Sequence, residues 1–334
     1  MDLGVRIEAF AKLGDYLHSD IYQEGVEQLS LVEVLNPWFT KQNIEKCLNA
    51  WKEQLKVDML KSWLSPYKLK EISNPKKVLV IMADNIPLVG FHDFLTVLVL
   101  GHKVVIKMSS ADNVLLKLLI NKLISIFPPF GECIDFIDHV KNKRFDVVIA
   151  TGSDNSSQYF EYYFKGARKI IRKNRRSVAV LDGTETDVEL KGLANDVFAY
   201  FGLGCRNVSK LFLPRGYNLN KLFESFFPYS HVLDHKKYAN NYDYNKAIFL
   251  MGSNKLLENG FLLLKEEKSL LSPVAMLYYE YYDDISAVDQ FVEVNADSLQ
   301  CVVSKNNIPF GSAQQPNLWD YADGIDTVEF LRAL

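Results

Sequence analysis

The sequence has 334 residues, of which 48% are hydrophobic and 24% are charged, and its 38 basic and 41 acidic side chains leave a formal net charge of −3. The apolar fraction is enough for a full core and two domains of roughly 100–200 residues each, which excludes a mainly disordered chain. The balanced charge differs from the strongly basic character of a general nucleic-acid binder, and it favours a small-molecule partner.

Cysteine usage and hydropathy predict the compartment. The four cysteines are widely spaced, at Cys47, Cys133, Cys205 and Cys301. This spacing predicts neither a disulfide framework nor a metal site. The longest apolar window, residues 86–106, is interrupted by four polar or charged side chains, and residues 1–13 carry four charges. We therefore expect no membrane span and no secretory signal, and we predict a reduced, cytoplasmic protein.

The predicted elements begin with an N-terminal helical segment. From Val5 to Tyr67 apolar residues recur at helical spacing, with a break at Pro37. Short β-branched runs then predict strands buried on both faces, at Lys77–Met82, Val104–Ile106 and Asp146–Ile149. Stretches compatible with helix follow them, at Leu88–Leu100, Asn113–Phe127 and Ser156–Gly166. This alternation predicts a parallel sheet with helices on both sides.

The second half of the chain predicts a further α/β layer. A helix at Glu189–Phe201 is flanked by strands at Ser177–Leu181 and Lys210–Leu213. Additional strands are predicted at Ala247–Met251, Val274–Tyr282 and Cys301–Val303. A turn at Asp182–Thr184 is the expected domain junction, so the predicted domains are residues 1–70, 71–182 and 183–334.

Ligands of open α/β sheets bind beyond the carboxyl ends of the strands, and chemically useful residues follow the predicted strands. They are Asn85 after the first strand, Lys107, Ser109 and Ser110 after the second, and Thr151, Gly152 and Ser153 after the third. Cys205 precedes a later strand, behind two glycines and beside Arg206, which could favour a thiolate. A structural interpretation stays open for each: Ser153 as a helix N-cap, Lys107 as a solvated lysine and Cys205 as a buried thiol.

In this order, the motifs resemble the aldehyde dehydrogenase superfamily, and within it the acyl-CoA reductase branch that includes the long-chain fatty acyl reductases of bacterial bioluminescence. They are Asn85-Ile86-Pro87, Lys107-Met108-Ser109-Ser110, Thr151-Gly152-Ser153, Gly204-Cys205 and, near the end, Pro309-Phe310-Gly311. The resemblance covers about residues 70 to 330. It implies an α/β fold of aldehyde dehydrogenase type, with an N-terminal helical segment, a Rossmann-type parallel cofactor domain at 71–182 and an α/β catalytic domain at 183–334.

The resemblance also implies residue roles. Cys205 corresponds to the nucleophile that forms an acyl-enzyme with the acyl-CoA substrate, and Asn85 to the oxyanion-stabilising asparagine. The implied cofactor contacts are Lys107 at the adenosine ribose and Ser153 at the pyrophosphate, with Ser109, Ser110, Thr151 and Gly152 as further cofactor-binding residues. Members of the superfamily commonly associate, so the resemblance leaves a homo-oligomer open.

Departures from the superfamily pattern refine the expected activity. Ser110 replaces the acidic residue of many NAD-dependent members, which favours NADPH over NADH. Val180 stands where the superfamily has its general-base Glu, so the acyl-enzyme is expected to escape hydrolysis unless Asp182 or Glu185 substitutes. The Glu that holds the nicotinamide ribose has no counterpart in residues 269–273, with Glu266 or Glu267 as candidate substitutes.

The predicted function is NADPH-dependent reduction of an acyl-CoA to an aldehyde. Reduction of another activated acyl group is the nearest alternative, for example an acyl phosphate or an acyl group carried on a protein. An acyl-transfer or acyl-binding protein that uses Cys205 without reduction is a second alternative, and an inactive structural relative is a third. The basic run from Arg172 to Arg176 is either a solvated strand entry or a contact for cofactor or CoA phosphates.

Overall fold

The structure is a computed structural model that describes residues 2–19, 21–141 and 143–334. Its α-helices are α1 (Leu3–Ser19), α2 (Ile21–Glu24), α3 (Val26–Leu35), α4 (Lys41–Gln54), α5 (Val57–Leu64), α6 (Phe91–Leu100), α7 (Leu115–Ile126), α8 (Asp154–Tyr163), α9 (Asp187–Phe198), α10 (Leu219–Phe226), α11 (Lys236–Met251), α12 (Ile285–Val294) and α13 (Thr327–Arg332). Its strands are β1 (Lys77–Ile81), β2 (Lys103–Lys107), β3 (Ile134–Phe136), β4 (Val147–Thr151), β5 (Arg168–Arg172), β6 (Arg176–Val180), β7 (Val208–Pro214), β8 (Leu257–Glu258), β9 (Leu263–Glu266), β10 (Met276–Tyr282) and β11 (Leu299–Val303).

The chain forms two compact units. The first comprises residues 1–174 together with 317–334, and the second comprises residues 175–316. The division falls ahead of the expected junction at Asp182–Thr184 because β6 pairs with β7 and β11 of the second unit. Within the described ranges, no helix has the length and apolar character needed to cross a membrane.

The first unit contains a five-stranded sheet of order β3-β2-β1-β4-β5, in which every strand pair is parallel. The predicted strands are confirmed, and β1, β2 and β4 are buried on both faces as their unbroken apolar runs indicated. Leu79, Val105 and Val148 lie side by side in one core cluster. The predicted N-terminal helical segment is also confirmed, as α1 to α5, and Pro37 lies between α3 and α4.

The second unit contains a six-stranded sheet of order β11-β6-β7-β10-β9-β8, in which β8 alone among the described strands runs antiparallel to its neighbour. The prediction of a strand at Ala247–Met251 is wrong, because these residues end helix α11. Ile248, Leu250 and Met251 are exposed there. A short apolar run does not distinguish a buried strand from the end of a helix.

Candidate functional site

The predicted ligand-binding residues of the first unit lie at one edge of its sheet. The strand register aligns Ile81 of β1 with Lys107 of β2 and with Ala150 of β4. Asn85 therefore follows the middle strand of three, and Lys107 and Thr151 end the strands on either side. The order of the strands reverses between β1 and β4, and the crevice beyond such a reversal is where open α/β sheets bind ligands.

The segment Thr151-Gly152-Ser153 leads from β4 into α8. Ser153 is the N-cap, and its Oγ accepts a hydrogen bond from the main-chain N–H of Ser156 at 3.3 Å, which confirms the structural interpretation of this serine. A Cβ on Gly152 would lie 2.8 Å from the Cβ of Ser156, so only glycine lets the strand meet the helix so closely. The N-terminus of α8, with its positive dipole, thus fits a cofactor that carries phosphate groups.

The turn after β2 contains the next candidates. Lys107 and Ser109 are half-buried and Ser110 is exposed. The Ser109 hydroxyl donates a hydrogen bond to the carboxylate of Asp84, which follows β1. The two turns are therefore linked directly, and a lysine and an exposed serine lie where the cofactor ribose is expected.

The loop 84–88, which carries Asn85, is held by the N-terminal helical segment. The side-chain amide of Asn36 donates to the main-chain carbonyl of the first residue of the loop at 3.1 Å. The thiol of Cys47 donates to the carbonyl of Pro87 at 3.2 Å. Both side chains are buried, so the helical segment fixes the backbone on either side of Asn85.

In the second unit, Cys205 follows a backbone segment in an unusual conformation. Tyr200, Phe201 and Gly202 have consecutive positive φ angles of 51°, 57° and 77°. A left-handed conformation costs a non-glycine residue about 1–2 kcal/mol. Strain of this kind is typical of functional sites, where the surrounding structure must hold it in place. The Cys205 side chain is half-buried, and its main-chain carbonyl accepts a hydrogen bond from Ser177 at 2.9 Å.

Two buried polar residues support this region, Asn207 at the Cys205 loop and Asp196 at the Pro309-Phe310-Gly311 motif, and sequence reasoning assigned a role to neither. Asn207 accepts a hydrogen bond from the N–H of Gly204 at 2.8 Å, and its amide donates to three carbonyls near the end of α9. Asp196, which is fully buried, accepts from the N–H groups of Gly311 and Ala313 at 2.6 and 3.1 Å. Helix α9 thus connects the Cys205 loop with the Pro309-Phe310-Gly311 motif. The available signal was an acidic residue close to the end of a helix, next to apolar residues.

The two candidate general bases near Val180, Asp182 and Glu185, stabilise a turn. Glu185 is buried, and its Oε1 accepts hydrogen bonds from the N–H groups of Asp182 and Gly183 at 2.5 and 3.2 Å. Burial raises the pKa of Glu185. Burial also acts to raise the pKa of Asp182, but hydrogen bonds from Thr184 and Lys305 outweigh it and lower this pKa to about 2. Both carboxylates are therefore committed to the fold of the turn.

The two candidate replacements for the ribose-binding Glu have different surroundings. The carboxylate of Glu267 pairs with Lys265 and accepts from the N–H groups of Lys268 and Ser269, so it closes its own turn. The hydrogen bond from Lys265 is the main reason that the pKa of Glu267 is lowered. Glu266 ends β9 and is exposed.

The other three cysteines carry thiols whose ionisation is disfavoured. Burial raises the pKa of Cys47, Cys133 and Cys301, the last to about 11, which keeps these side chains as neutral thiols. Cys301 also shares a hydrogen bond with the Ser177 hydroxyl at 2.9 Å.

Neither expectation for the basic run holds at Arg172, which is neither solvated nor available to a phosphate. Arg172 is buried in the first unit and makes two hydrogen bonds to the carboxylate of Asp93, at 2.6 and 3.2 Å. It also donates to the carbonyl of Ala322 and the hydroxyl of Thr327. In the second unit, Arg175 donates to two main-chain carbonyls, one shortly before β11 and one at its first residue.

Comparison with known proteins identifies related sequences. The profile of the family described as acyl-CoA reductase (LuxC) matches residues 17–223. The chain is 24% identical over 273 residues to the long-chain acyl-protein thioester reductase of Aliivibrio fischeri, in an alignment that covers 72% of this chain and 56% of the relative. The chain therefore spans little more than half the length of that relative.

Solved structures share the fold at low sequence identity. Aldehyde dehydrogenase 21 from Physcomitrella patens, in complex with succinate, is similar with a TM-score of 0.65 and 13% identity, and the match covers 91% of this chain and 73% of the other. Aldehyde dehydrogenase C from Pseudomonas syringae, in complex with NAD+ and octanal, has a TM-score of 0.64 and 12% identity over 91% and 72% of the two chains. These matches confirm the predicted fold class.

Proposed function

Because the chain belongs to the acyl-CoA reductase (LuxC) family, we propose that it reduces an activated acyl thioester to the aldehyde through an acyl-enzyme on Cys205. One observation carries the proposal. The half-buried Cys205 follows a strained backbone segment that Asn207 fixes, whereas Cys47 and Cys301 are buried and burial raises the pKa of Cys133. A strained, well-supported loop that presents a thiol is typical of nucleophilic catalysis.

In the first step, the Cys205 thiolate attacks the acyl carbonyl and forms a carbon–sulfur bond. The carbonyl oxygen becomes an oxyanion, for which we assign the Asn85 amide and the main-chain N–H of Cys205 as donors. Collapse of the oxyanion breaks the bond to CoA, which leaves as a thiolate, and the acyl group remains on Cys205 as a thioester.

In the second step, the thioester is reduced. When bound, NADPH would supply the hydride, which bonds to the acyl carbon. The bond from that carbon to the Cys205 sulfur breaks, and the products are the aldehyde and the regenerated Cys205 thiolate. Overall, one acyl-CoA, one NADPH and one proton give the aldehyde, CoA and NADP+. Lys107, Ser109 and Ser110 are assigned to the adenosine ribose, and Thr151, Gly152 and Ser153 to the pyrophosphate. NADPH is preferred to NADH because Ser110 places no carboxylate near a 2′-phosphate.

The turn after β6 supports an acyl-enzyme that escapes hydrolysis. Val180 carries no titratable group, and the carboxylates of Asp182 and Glu185 already accept hydrogen bonds from their own turn. Neither is therefore assigned as a base that would activate water against the acyl-enzyme, which survives until reduction. A reducing, cytoplasmic compartment suits this chemistry, since the Cys205 sulfur must stay in its reduced form.

Two observations support alternatives that the experiment also has to test. The relative from A. fischeri is named for an acyl-protein thioester, so an acyl group carried on a protein is the second candidate substrate. The nicotinamide ribose lacks its usual Glu in this chain, so acyl transfer by Cys205 without reduction is the second candidate function.

The test combines two measurements on the purified protein. Acyl-CoAs of increasing chain length, and the same acyl groups on a carrier protein, are supplied while NADPH absorbance is followed, with excess free CoA as competitor. Acylation is measured separately, without NADPH, as a mass increase on Cys205. We expect Cys205→Ala and Cys205→Ser to abolish both signals, and Cys133→Ser, the matched control, to retain them. Unchanged NADPH consumption in the Cys205 variants would contradict the proposal, and acylation without any NADPH consumption would favour acyl transfer.

A further inference from the structure

Asp112 is a buried acid to which the proposed reaction gives no role. Its side chain lies in the turn after β2, where only 8% of the residue is exposed. It accepts a hydrogen bond from the main-chain N–H of Leu88. Its second oxygen, Oδ1, is buried and has no hydrogen-bond partner among the described residues. Burial, together with a smaller effect of the nearby Asp84 carboxylate, raises the pKa of Asp112 to about 7.

The partner of this carboxylate is a strained residue. Leu88 has a φ of 56°, a conformation that is unfavourable for any side chain larger than that of glycine. The main-chain carbonyl of Leu88 accepts a hydrogen bond from the N–H of Phe91, at the start of α6, at 2.9 Å. With Asp112 on its N–H, Leu88 is held at both of its main-chain polar groups. The strained conformation thus depends on a side chain from a different loop.

Asp112 also belongs to the turn that contains the proposed ribose contacts. Ser109 and Asp112 form an isolated antiparallel bridge, and the Ser109 hydroxyl donates to the Asp84 carboxylate. The turn 107–112 and the loop 84–88 are therefore joined at two points, Ser109 to Asp84 and Asp112 to Leu88. Asn85 lies between these two points.

We propose that Asp112 is a positioning residue for acyl reduction, which fixes the backbone of the loop 84–88 that carries the proposed oxyanion donor Asn85, and which connects that loop to the cofactor turn 107–112. This inference rests on the proposed function. Two titratable groups face Asp112, namely Asp84 after β1 and Cys47 on α4. An ionised Asp112 would face the carboxylate of Asp84, so the neutral acid is the form that suits this position.

The experiment compares three variants. Asp112→Ala removes the acceptor for the Leu88 N–H. Asp112→Asn retains an acceptor and cannot ionise. Asn113→Ala is the matched control, because among the described residues this neighbouring amide bonds only to the carbonyl of Ser110, within its own turn. For each we would measure amide hydrogen exchange over residues 83–91 in the cofactor-free protein, kcat, and KM for NADPH between pH 6 and 8.5.

We expect Asp112→Ala to speed exchange over residues 83–91 and to lower kcat about tenfold or more, with a smaller change in KM, since loss of one oxyanion donor costs about 100-fold or more. Asp112→Asn should restore both to within about threefold of the original chain. The ratio of its kcat to that of the original chain should rise with pH, because only the original chain ionises at this position.

Three results would overturn the inference: Asp112→Ala matching Asn113→Ala, Asp112→Asn as impaired as Asp112→Ala, or a kcat ratio that does not change with pH. Should Asp112→Ala fail to fold, the kcat ratio of Asp112→Asn decides. Failure of the proposed function is distinguishable, because the unaltered chain would then consume no NADPH with any acyl substrate. The exchange measurement would still test whether Asp112 holds the loop.

Discussion

Removal of the Asp93 carboxylate tests the buried ion pair in depth. The side chains of Arg172 and Asp93 are only 5% and 6% exposed, and the pair has two hydrogen bonds. Asp93→Ala would leave the Arg172 charge buried without its counter-ion, which typically destabilises a protein by about 3–5 kcal/mol. All four tryptophans lie in the first unit, one of them Trp319 of its returning segment, so tryptophan fluorescence during urea unfolding reports on that unit.

The control is Glu24→Ala, which removes the exposed ion pair to Lys122 in the same unit and should cost less than about 1 kcal/mol. The double variant Asp93→Leu with Arg172→Met replaces both charges by apolar side chains and should recover most of the lost free energy of unfolding. The reasoning is refuted if Asp93→Ala stays within about 1 kcal/mol of the original chain, or if the double variant is no more stable than Asp93→Ala.

Three further predictions concern cofactor binding and stability. Lys107→Ala should raise KM for NADPH about tenfold or more with little change in kcat, and more than it raises KM for NADH; equal effects in steady-state assays would exclude a contact to the 2′-phosphate. Gly192→Ala would place a Cβ 2.6 Å from the Phe310 carbonyl oxygen, so unfolding should show a loss of about 1–3 kcal/mol, and an unchanged Tm would contradict the packing. Folding raises the pKa of Asp112 from 3.8 to about 7, so the free energy of unfolding falls as the pH rises between these two values. Compared with the original chain, Asp112→Asn should therefore gain up to about 4 kcal/mol in free energy of unfolding between pH 4 and pH 8, and parallel stability profiles of the two chains would refute this.

Strands with unbroken apolar runs could be predicted, and strands that carry charge could not. In β4 every residue but the last is fully shielded, so its apolar run is a direct record of burial on two faces. In β5, by contrast, only the third and fifth residues are buried, and the fifth is Arg172. A sequence with arginine at both ends of a five-residue strand does not indicate an interior position, because the compensating Asp93 is distant in the chain.

The candidate site divides along the same line. Lys107 and the Thr151-Gly152-Ser153 motif could be found because they directly follow recognisable strands, and Cys205 because its glycines and neighbouring arginine mark it. Their supports other than Asn207 could not be found, because each acts across a long sequence separation. Asp196, for instance, holds residues more than a hundred positions later in the chain.

The return of residues 317–334 to the first unit has a consequence for biosynthesis. Trp63 donates a hydrogen bond to Tyr321, and Val328 and Leu331 of α13 are fully buried. The first unit therefore lacks part of its core until the whole of the second unit has left the ribosome, whereas residues 175–316 form an uninterrupted stretch that can fold as soon as it emerges. We expect the part of the chain that is translated first to be the part that matures last.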